Sequence, residues 1–176
     1  MEKEKNPKQS GCCLVLFIIV LSVIIVSGFN FFNDSDSPKY EKKNIPVGMA
    51  ISAGNFIYTV KKFRFAHELG NDFTQKVADG VYLVISLSVE NISKETRTVD
   101  NMLFKLTDNS GTTYESSQDG TMALELSGSK TLFLKQCQPN IEISGYIVFE
   151  VPKKGTYNLE VSGGFFNKET ATIKIE

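Results

Sequence analysis

Residues 81–89 of this 176-residue chain read Val-Tyr-Leu-Val-Ile-Ser-Leu-Ser-Val, and this stretch decides the fold class. Its odd-numbered positions are all aliphatic, whereas two of its four even-numbered positions are serines. Because side chains alternate between the two faces of a strand, a period of two over nine residues predicts a β-strand with one face in the core. The length of the run predicts a central strand of a sheet.

The same alternation recurs on both sides of this strand. Shorter period-two runs separated by turn residues occupy residues 47–65, 98–106, 112–115, 131–134, 141–151, 157–161 and 171–175. A change of parity after Val60 predicts a β-bulge or bend near Lys61 and Lys62. Asp108-Asn109-Ser110-Gly111 predicts a hairpin turn. The polar segments 67–78 and 116–129 are predicted loops, the second with one helical turn.

About eight or nine short strands, without a helix of useful length, indicate an all-β domain at the spacing of a β-sandwich. Parallel neighbours need crossover helices, so we expect the strands to pair antiparallel. The prediction is an immunoglobulin-like antiparallel β-sandwich over residues 47–176, preceded by one N-terminal transmembrane helix and a flexible linker. The chain has no tryptophan and no second cysteine in this region, so the core pin of antibody domains is not expected.

The transmembrane helix is predicted from an apolar run near the N-terminus. Residues 12–26 contain Ser22 as their only polar side chain, and residues 12–32 reach the roughly 20 positions that a membrane-spanning helix needs. We therefore expect a cytoplasmic tail at 1–11, contact with the lipid bilayer through 12–32, and a linker at 33–46. The domain at 47–176 would then be the extracytoplasmic part of a single-pass protein of the cell membrane.

Two other interpretations of the apolar run remain. A signal peptide cleaved near Gly28 would release the domain as a secreted soluble protein. A buried core helix is the third possibility for a run of this length. Processing as a lipoprotein is not expected, because Cys12 and Cys13 stand at the beginning of the run and not at its end.

Composition limits the classes of partner. The net charge is −1, from 19 Lys and Arg against 20 Asp and Glu, so no electrostatic field favours nucleic acid. Cys137 is the only cysteine after the apolar run, so the domain has no internal disulfide. An exported domain without disulfides points to bacteria. We expect an unknown protein or cell-envelope partner and no nucleic acid.

Candidate catalytic and metal-binding residues are few. His67 is the only histidine, so neither a histidine cluster for zinc nor a second base for a triad exists. Cys137 has no histidine near it in sequence and is interpreted as an inert thiol. The last candidates are four aspartates placed in turns and a basic run beside aromatic residues: Asp79, Asp100, Asp108, Asp119, and Lys61, Lys62, Arg64 with Phe63 and Phe65.

Turn chemistry accounts for each aspartate, although sandwich loops could converge on a calcium ion. The basic run is interpreted as a partly exposed sheet face and not as a nucleic-acid platform. We therefore predict no catalytic residue, no cofactor-binding residue, no metal-binding residue, no cofactor and no enzymatic activity.

Four stretches in one order carry a resemblance to a known family. They are Gly54-Asn55-Phe56-Ile57-Tyr58-Thr59-Val60, residues 80–91, Leu106-Thr107-Asp108-Asn109-Ser110-Gly111-Thr112-Thr113-Tyr114, and Tyr146-Ile147-Val148-Phe149-Glu150-Val151-Pro152. Over about residues 47–176 the chain resembles a bacterial domain-of-unknown-function family of membrane-anchored proteins and lipoproteins. That family is related to the mycobacterial immunoprotective extracellular antigens.

The resemblance implies an immunoglobulin-like sandwich and an extracytoplasmic location, and it brings no catalytic residues. Many members are lipid-anchored at a cysteine that this sequence lacks. The expected function is a membrane-tethered, extracytoplasmic, non-catalytic binding or interaction module at the bacterial cell envelope. Segments 67–78 and 116–130 are expected to carry its contacts, because the loops of a sandwich usually do. The alternative is the secreted soluble binding protein.

Overall fold

The computed structural model describes residues 44–164, 167 and 169–176. The predicted tail, the predicted anchor at 12–32 and the linker up to residue 43 lie outside these described residues. Within the described ranges, no helix combines the length and the apolar character needed to cross a membrane.

Eleven strands, one α-helix and one short 3-10 helix make up the described part of the chain. The strands are β1 (Asn44–Ile45), β2 (Ala50–Ala53), β3 (Phe56–Leu69), β4 (Lys76–Asn91), β5 (Arg97–Val99), β6 (Phe104–Asp108), β7 (Thr113–Tyr114), β8 (Lys135–Cys137), β9 (Glu142–Val151), β10 (Tyr157–Ser162) and β11 (Thr170–Ile175). The 3-10 helix is Asn101–Leu103, and the α-helix, α1, is Gln118–Leu126.

The strands form a β-sandwich, which confirms the all-β prediction. One sheet has the order β1-β11-β10-β6-β7, the other has the order β2-β3-β4-β9, and β5 pairs with β8 in a two-stranded ribbon. One cluster of buried side chains, drawn from both large sheets, forms the core between them. Tyr58 of β3 also joins the sheets directly, because its hydroxyl donates to the carbonyl oxygen of Ser162 in β10 at 2.7 Å.

Strand pairing is antiparallel with one exception at a sheet edge. β1 runs parallel to β11, with Asn44 opposite Thr172 and Ile45 opposite Ile173. The prediction that all strands pair antiparallel is therefore wrong at this edge. The need for a crossover helix applies to strands that follow each other closely, whereas the whole domain lies between β1 and β11.

β4 contains the stretch from which the fold was predicted, and its core face is confirmed. The five aliphatic side chains at odd positions of 81–89 are each at most 5% exposed. The opposite face is covered as well, since Tyr82 and Val84 are buried in a second cluster with Ala123 and Leu124 of α1. β4 is thus a central strand with apolar contacts on both faces.

The predicted β-bulge at Lys61 is confirmed. Val60 pairs with Leu87 and Lys62 pairs with Ser86, so Lys61 is the extra residue of β3. The extra residue shifts the parity of the strand. Phe63 and the residues after it can therefore face the core on odd positions, whereas Val60 and the residues before it do so on even positions.

α1 replaces most of the predicted loop at 116–129, and that prediction is wrong. Ser117 caps the helix by accepting a hydrogen bond from the Gly120 N–H at 3.1 Å. Leu124 then packs on the outer face of β4. The helix was not apparent from the sequence because Gly120 lowers helix propensity and the buried face is short.

Two further boundaries differ from the predictions. The predicted strand at 131–134 is absent: Thr131 forms a single bridge with Tyr146, and Leu134 has a φ of 51°, which breaks an extended strand. The strand in this region is β8, which begins at Lys135. The predicted loop at 67–78 shortens to residues 70–75, because β3 and β4 both extend into it.

Candidate functional site

The two residues most often used in nucleophilic catalysis lie far apart. His67 is in β3 beside Ala66, which pairs with Tyr82 of β4. The thiol of Cys137 lies 3.7 Å from the carbonyl oxygen of Val89, at the other end of β4. Tyr82 and Val89 are seven positions apart along one strand, which corresponds to about 23 Å. The geometry brings no Cys–His pair together.

Cys137 is fully buried in the core and forms no disulfide. Its thiol donates to the carbonyl oxygen of Ile141 at 3.1 Å. Burial raises the pKa of this thiol, because removal from water disfavours the charged thiolate. A protonated thiol is a poor nucleophile, so this environment is that of a structural cysteine.

Two of the four candidate aspartates organise local turns. Asp100 accepts a hydrogen bond from the Met102 N–H at 2.8 Å and so caps the 3-10 helix. Asp108 accepts from the Ser110 hydroxyl at 2.6 Å and from the N–H groups of Ser110 and Thr112, each at 2.9 Å. The Ser110 hydroxyl contributes most to lowering the pKa of Asp108 to about 2.

The other two aspartates do not lie in turns, and that prediction is wrong. Asp79 is inside β4, where its N–H donates to a carboxylate oxygen of Glu150 at 2.7 Å. Asp119 is in the first turn of α1 and lies 3.6 Å from the ammonium group of Lys76. Nowhere in the described ranges do three His, Cys, Asp or Glu side chains come close enough to hold a metal ion.

The basic run at 61–64 does not form a platform of alternating bases and aromatics. Lys61 projects from the bulge and pairs with Glu142 at 3.3 Å. Phe63 and Phe65 pack against the core, with their ring centroids 6.1 Å apart and nearly perpendicular. The aromatic side chains therefore lie on the inner face of the sheet, away from the surface on which a nucleic acid would stack.

The most distinctive surface feature is a group of exposed apolar side chains. Met102, Met122, Phe133 and Leu134 are exposed to 76%, 53%, 37% and 59% respectively. They come from the 3-10 helix, from α1 and from the segment before β8. Three stretches that are distant in sequence thus present large apolar side chains to solvent around the same two depressions.

These depressions adjoin each other and form one groove. Their volumes are about 190 and 330 Å³, and both are lined by Asn101, Gln118 and Phe133. We call the two together the Phe133 groove. Met122 lines the smaller depression, and Leu134 lines the larger one. The groove therefore combines apolar walls with two side-chain amides that can donate and accept hydrogen bonds.

The charged residues of the Phe133 groove are acidic. Asp100 and Glu115 line the larger depression, and Glu125 lines the smaller one. In the part of the chain that the structure describes, neither depression is lined by a lysine or an arginine. Glu125 has a cation nearby, because the Lys135 ammonium lies 3.8 Å away. Asp100 and Glu115 thus leave negative charge at the larger depression.

Sequence reasoning located part of this groove. The segment 116–130, expected to carry contacts, contributes Gln118 and Met122, whereas the segment 67–78 does not line the groove. Phe133 and Leu134 were missed because they were assigned to a strand. The signal that could have identified them is Leu132-Phe133-Leu134, three consecutive large apolar residues that break the period of two.

Comparison with known proteins identifies the family. The model of a domain of unknown function, DUF4352, matches residues 45–173. The chain belongs to the DUF4352 family. This confirms the suspected membership of a domain-of-unknown-function family, and the match spans nearly all of the sandwich. A search of curated proteins found no match.

Solved structures similar to this DUF4352 chain are bacterial. The yjhA protein of Bacillus subtilis has a TM-score of 0.59 and 17% identity, covering 75% of this chain and 99% of its own. A candidate lipoprotein, ycdA, of the same organism has a TM-score of 0.54 and 20% identity. That match covers 72% of this chain but only 38% of ycdA.

The mycobacterial relationship is also found. The secreted protein MPT63 of Mycobacterium tuberculosis has a TM-score of 0.51 at 11% identity, and the match covers 77% of this chain and all of MPT63. At these identities the likeness is one of fold. The β-sandwich predicted from the alternation of residues 81–89 is thus shared with solved proteins.

Proposed function

We propose that this DUF4352 chain is a non-catalytic binding module held on the outer side of a bacterial cell membrane by residues 12–32. The observation that carries the proposal is the Phe133 groove, where Met102, Met122, Phe133 and Leu134 are exposed around two adjoining depressions. Clustered exposed apolar side chains lined by polar groups are typical of interaction sites.

The absence of catalysis in this proposal is supported by the placement of the reactive groups. Cys137 is buried with a raised pKa, and the strand register separates it from His67 by about 23 Å. The acidic candidates Asp100 and Asp108 have their carboxylates engaged by backbone N–H groups. These contacts stabilise turns, which is a structural role.

The extracytoplasmic location rests on the sequence and on the related folds. Residues 12–32 have the length of a spanning helix, and Lys3, Lys5 and Lys8 precede them on the side expected to remain inside. Among the similar structures, MPT63 is described as secreted and ycdA as a candidate lipoprotein. Both descriptions are those of proteins outside the cytoplasm, which supports the same side for this domain.

Site-specific photocrosslinking in intact native cells tests the binding role. The full chain carries p-benzoylphenylalanine at position 133 in one variant and at position 73 in the control. Phe73 is 97% exposed on the β3–β4 connection and does not line the groove, so it reports random encounters. We expect a discrete light-dependent adduct at 133 and none at 73. Equal labelling at both positions, or none at 133, would overturn a binding role for this groove.

Two further measurements test the remaining parts of the proposal. Membrane-bound protein that begins at Met1 or Glu2 supports the anchor, whereas a chain that begins near Phe29 supports the secreted alternative. A hydrolase or transferase activity that is present in the purified chain and lost in Cys137→Ala or His67→Ala would overturn the non-catalytic assignment.

A further inference from the structure

We propose that the Phe133 groove binds a polypeptide segment of a partner protein in which an aromatic or aliphatic residue stands next to Lys or Arg. This inference rests on the binding role proposed above and assigns the chemistry of the ligand. Three observations carry it: the presentation of Phe133 and Leu134, the sign of the charge in the groove, and a free strand edge beside it.

The backbone holds the apolar wall in place at a cost. Leu134 has a φ of 51°, in the left-handed region that side-chain-bearing residues rarely adopt and that costs about 1 kcal/mol. Leu132 before it is buried in the core, and β8 begins directly after it. The turn at Leu134 therefore lies between two fixed points and leaves two large apolar side chains facing solvent. An apolar side chain of a ligand would remove both from water.

Charge selects among apolar ligands. One carboxylate oxygen of Asp100 accepts from the Met102 N–H, and Glu115 is exposed on the opposite side of the larger depression. The nearest printed cation of the groove region, Lys135, pairs with Glu125 and not with either of these carboxylates. A Lys or Arg beside the apolar residue of a ligand would complement this negative charge.

The same charge disfavours two other occupants. An anionic lipid surface would be repelled by Asp100 and Glu115, so the groove is a poor membrane-docking face. An isologous contact between two copies would bring the same patch against itself, with like charges near the two-fold axis. A basic segment of a different protein meets neither obstacle.

A strand edge beside the groove points to a polypeptide. A larger depression of about 680 Å³ shares Glu125 with the groove and is lined by Ser144 of β9. In β9 the backbone of Tyr146 points away from β4, since its N–H donates to Lys130 and its carbonyl accepts from Leu132. By strand alternation the N–H and carbonyl of Ser144 point the same way, into this depression. A peptide backbone is the ligand that such an edge recognises.

Selection from a display library of short random peptides on the immobilised full chain tests the inference. We expect the enriched sequences to place an aromatic or aliphatic residue next to Lys or Arg. A synthetic peptide from that pool is then measured for affinity by fluorescence anisotropy. Phe133→Ser and Glu115→Lys are each expected to weaken its binding at least about tenfold.

Matched controls separate a groove effect from a general surface effect. Phe73→Ser removes an exposed phenylalanine elsewhere, and Glu68→Lys reverses an exposed charge on β3. Both are expected to leave the affinity within about twofold. All four positions are solvent-exposed, and thermal unfolding of each variant verifies that it folds.

The outcomes also separate this inference from the binding role itself. Enriched peptides that are acidic or uncharged, or affinities unchanged by Glu115→Lys, overturn the assignment of a basic ligand. If such peptides still depend on Phe133, the binding role stands without this ligand chemistry. A pool without enrichment overturns the polypeptide assignment, while the crosslinking at position 133 decides the binding role independently.

Discussion

The side-chain amide nitrogen of Asn91 donates to the main-chain carbonyl oxygen of Cys137 at 2.9 Å, although the two residues are 46 positions apart. The same nitrogen donates to the carbonyl oxygen of Glu95 at 2.7 Å, and the amide oxygen accepts from the N–H and the hydroxyl of Ser93. Asn91 is fully buried, so these bonds satisfy a polar group that water cannot reach. They join the end of β4 to the end of β8.

Asn91→Ala is expected to lower the free energy of unfolding by about 3 kcal/mol, because the carbonyl groups of Glu95 and Cys137 lose their donor inside the protein. Urea unfolding of the full chain in mild detergent, followed by circular dichroism, measures the change. Asn109→Ala, at an exposed turn position, is the control and should change stability by less than about 0.5 kcal/mol. Equal stability of the two variants would contradict the structural role of Asn91.

Asp108 is expected to make stability depend on pH in the acid range. Hydrogen bonds, chiefly from the Ser110 hydroxyl, lower its pKa to about 2, below the ordinary value near 3.9. A group with a lowered folded-state pKa contributes stability above its unfolded pKa and loses it as the pH falls through the folded one. The contribution of Asp108 should therefore disappear between about pH 4 and about pH 2.

Carbon-13 NMR of the side-chain carboxyl measures the titration of Asp108 directly. A midpoint near the ordinary aspartate value would show that the bonds to Ser110 and Thr112 do not persist in solution. Asp108→Asn should flatten the pH dependence of stability in the acid range, while Asp72→Asn, an exposed position in the β3–β4 connection, should leave it unchanged.

Leu124→Ala should destabilise the fold by about 3 kcal/mol, since Leu124 is buried between α1 and β4. Leu126→Ala in the same helix should cost less than about 0.5 kcal/mol, because Leu126 is 59% exposed. The two variants remove the same side chain from one helix, so the difference in urea midpoint isolates the contact with the sheet. Similar losses for both would mean that α1 does not pack on β4 through Leu124.

Cys137 is expected to resist alkylation in the folded chain. Burial limits access to the thiol and raises its pKa, so little thiolate is present near neutral pH. In a chain with Cys12→Ala and Cys13→Ala, labelling by iodoacetamide should accelerate at least about a hundredfold when urea unfolds the domain. Labelling of the folded chain at the rate of a free thiol would show an exposed, reactive cysteine.

Much of the sandwich could be predicted because alternation is a local property. The core side chains of 81–89 and the bulge at Lys61 both follow from the parity of apolar residues, which neighbouring positions determine. The hairpin turn at 108–111 follows from residue types that favour turns. Each of these features depends on fewer than about ten consecutive residues.

The sequence by itself also determined the family and the candidate membrane segment at 12–32, because both depend on patterns along the chain. Only the tertiary structure decided that α1 covers the outer face of β4, because a short helix with Gly120 inside it is stabilised by packing more than by propensity. It also decided the groove. Met102, Met122 and Phe133 share no local pattern, and the folded chain brings them together because their three segments end at one flank of the sandwich.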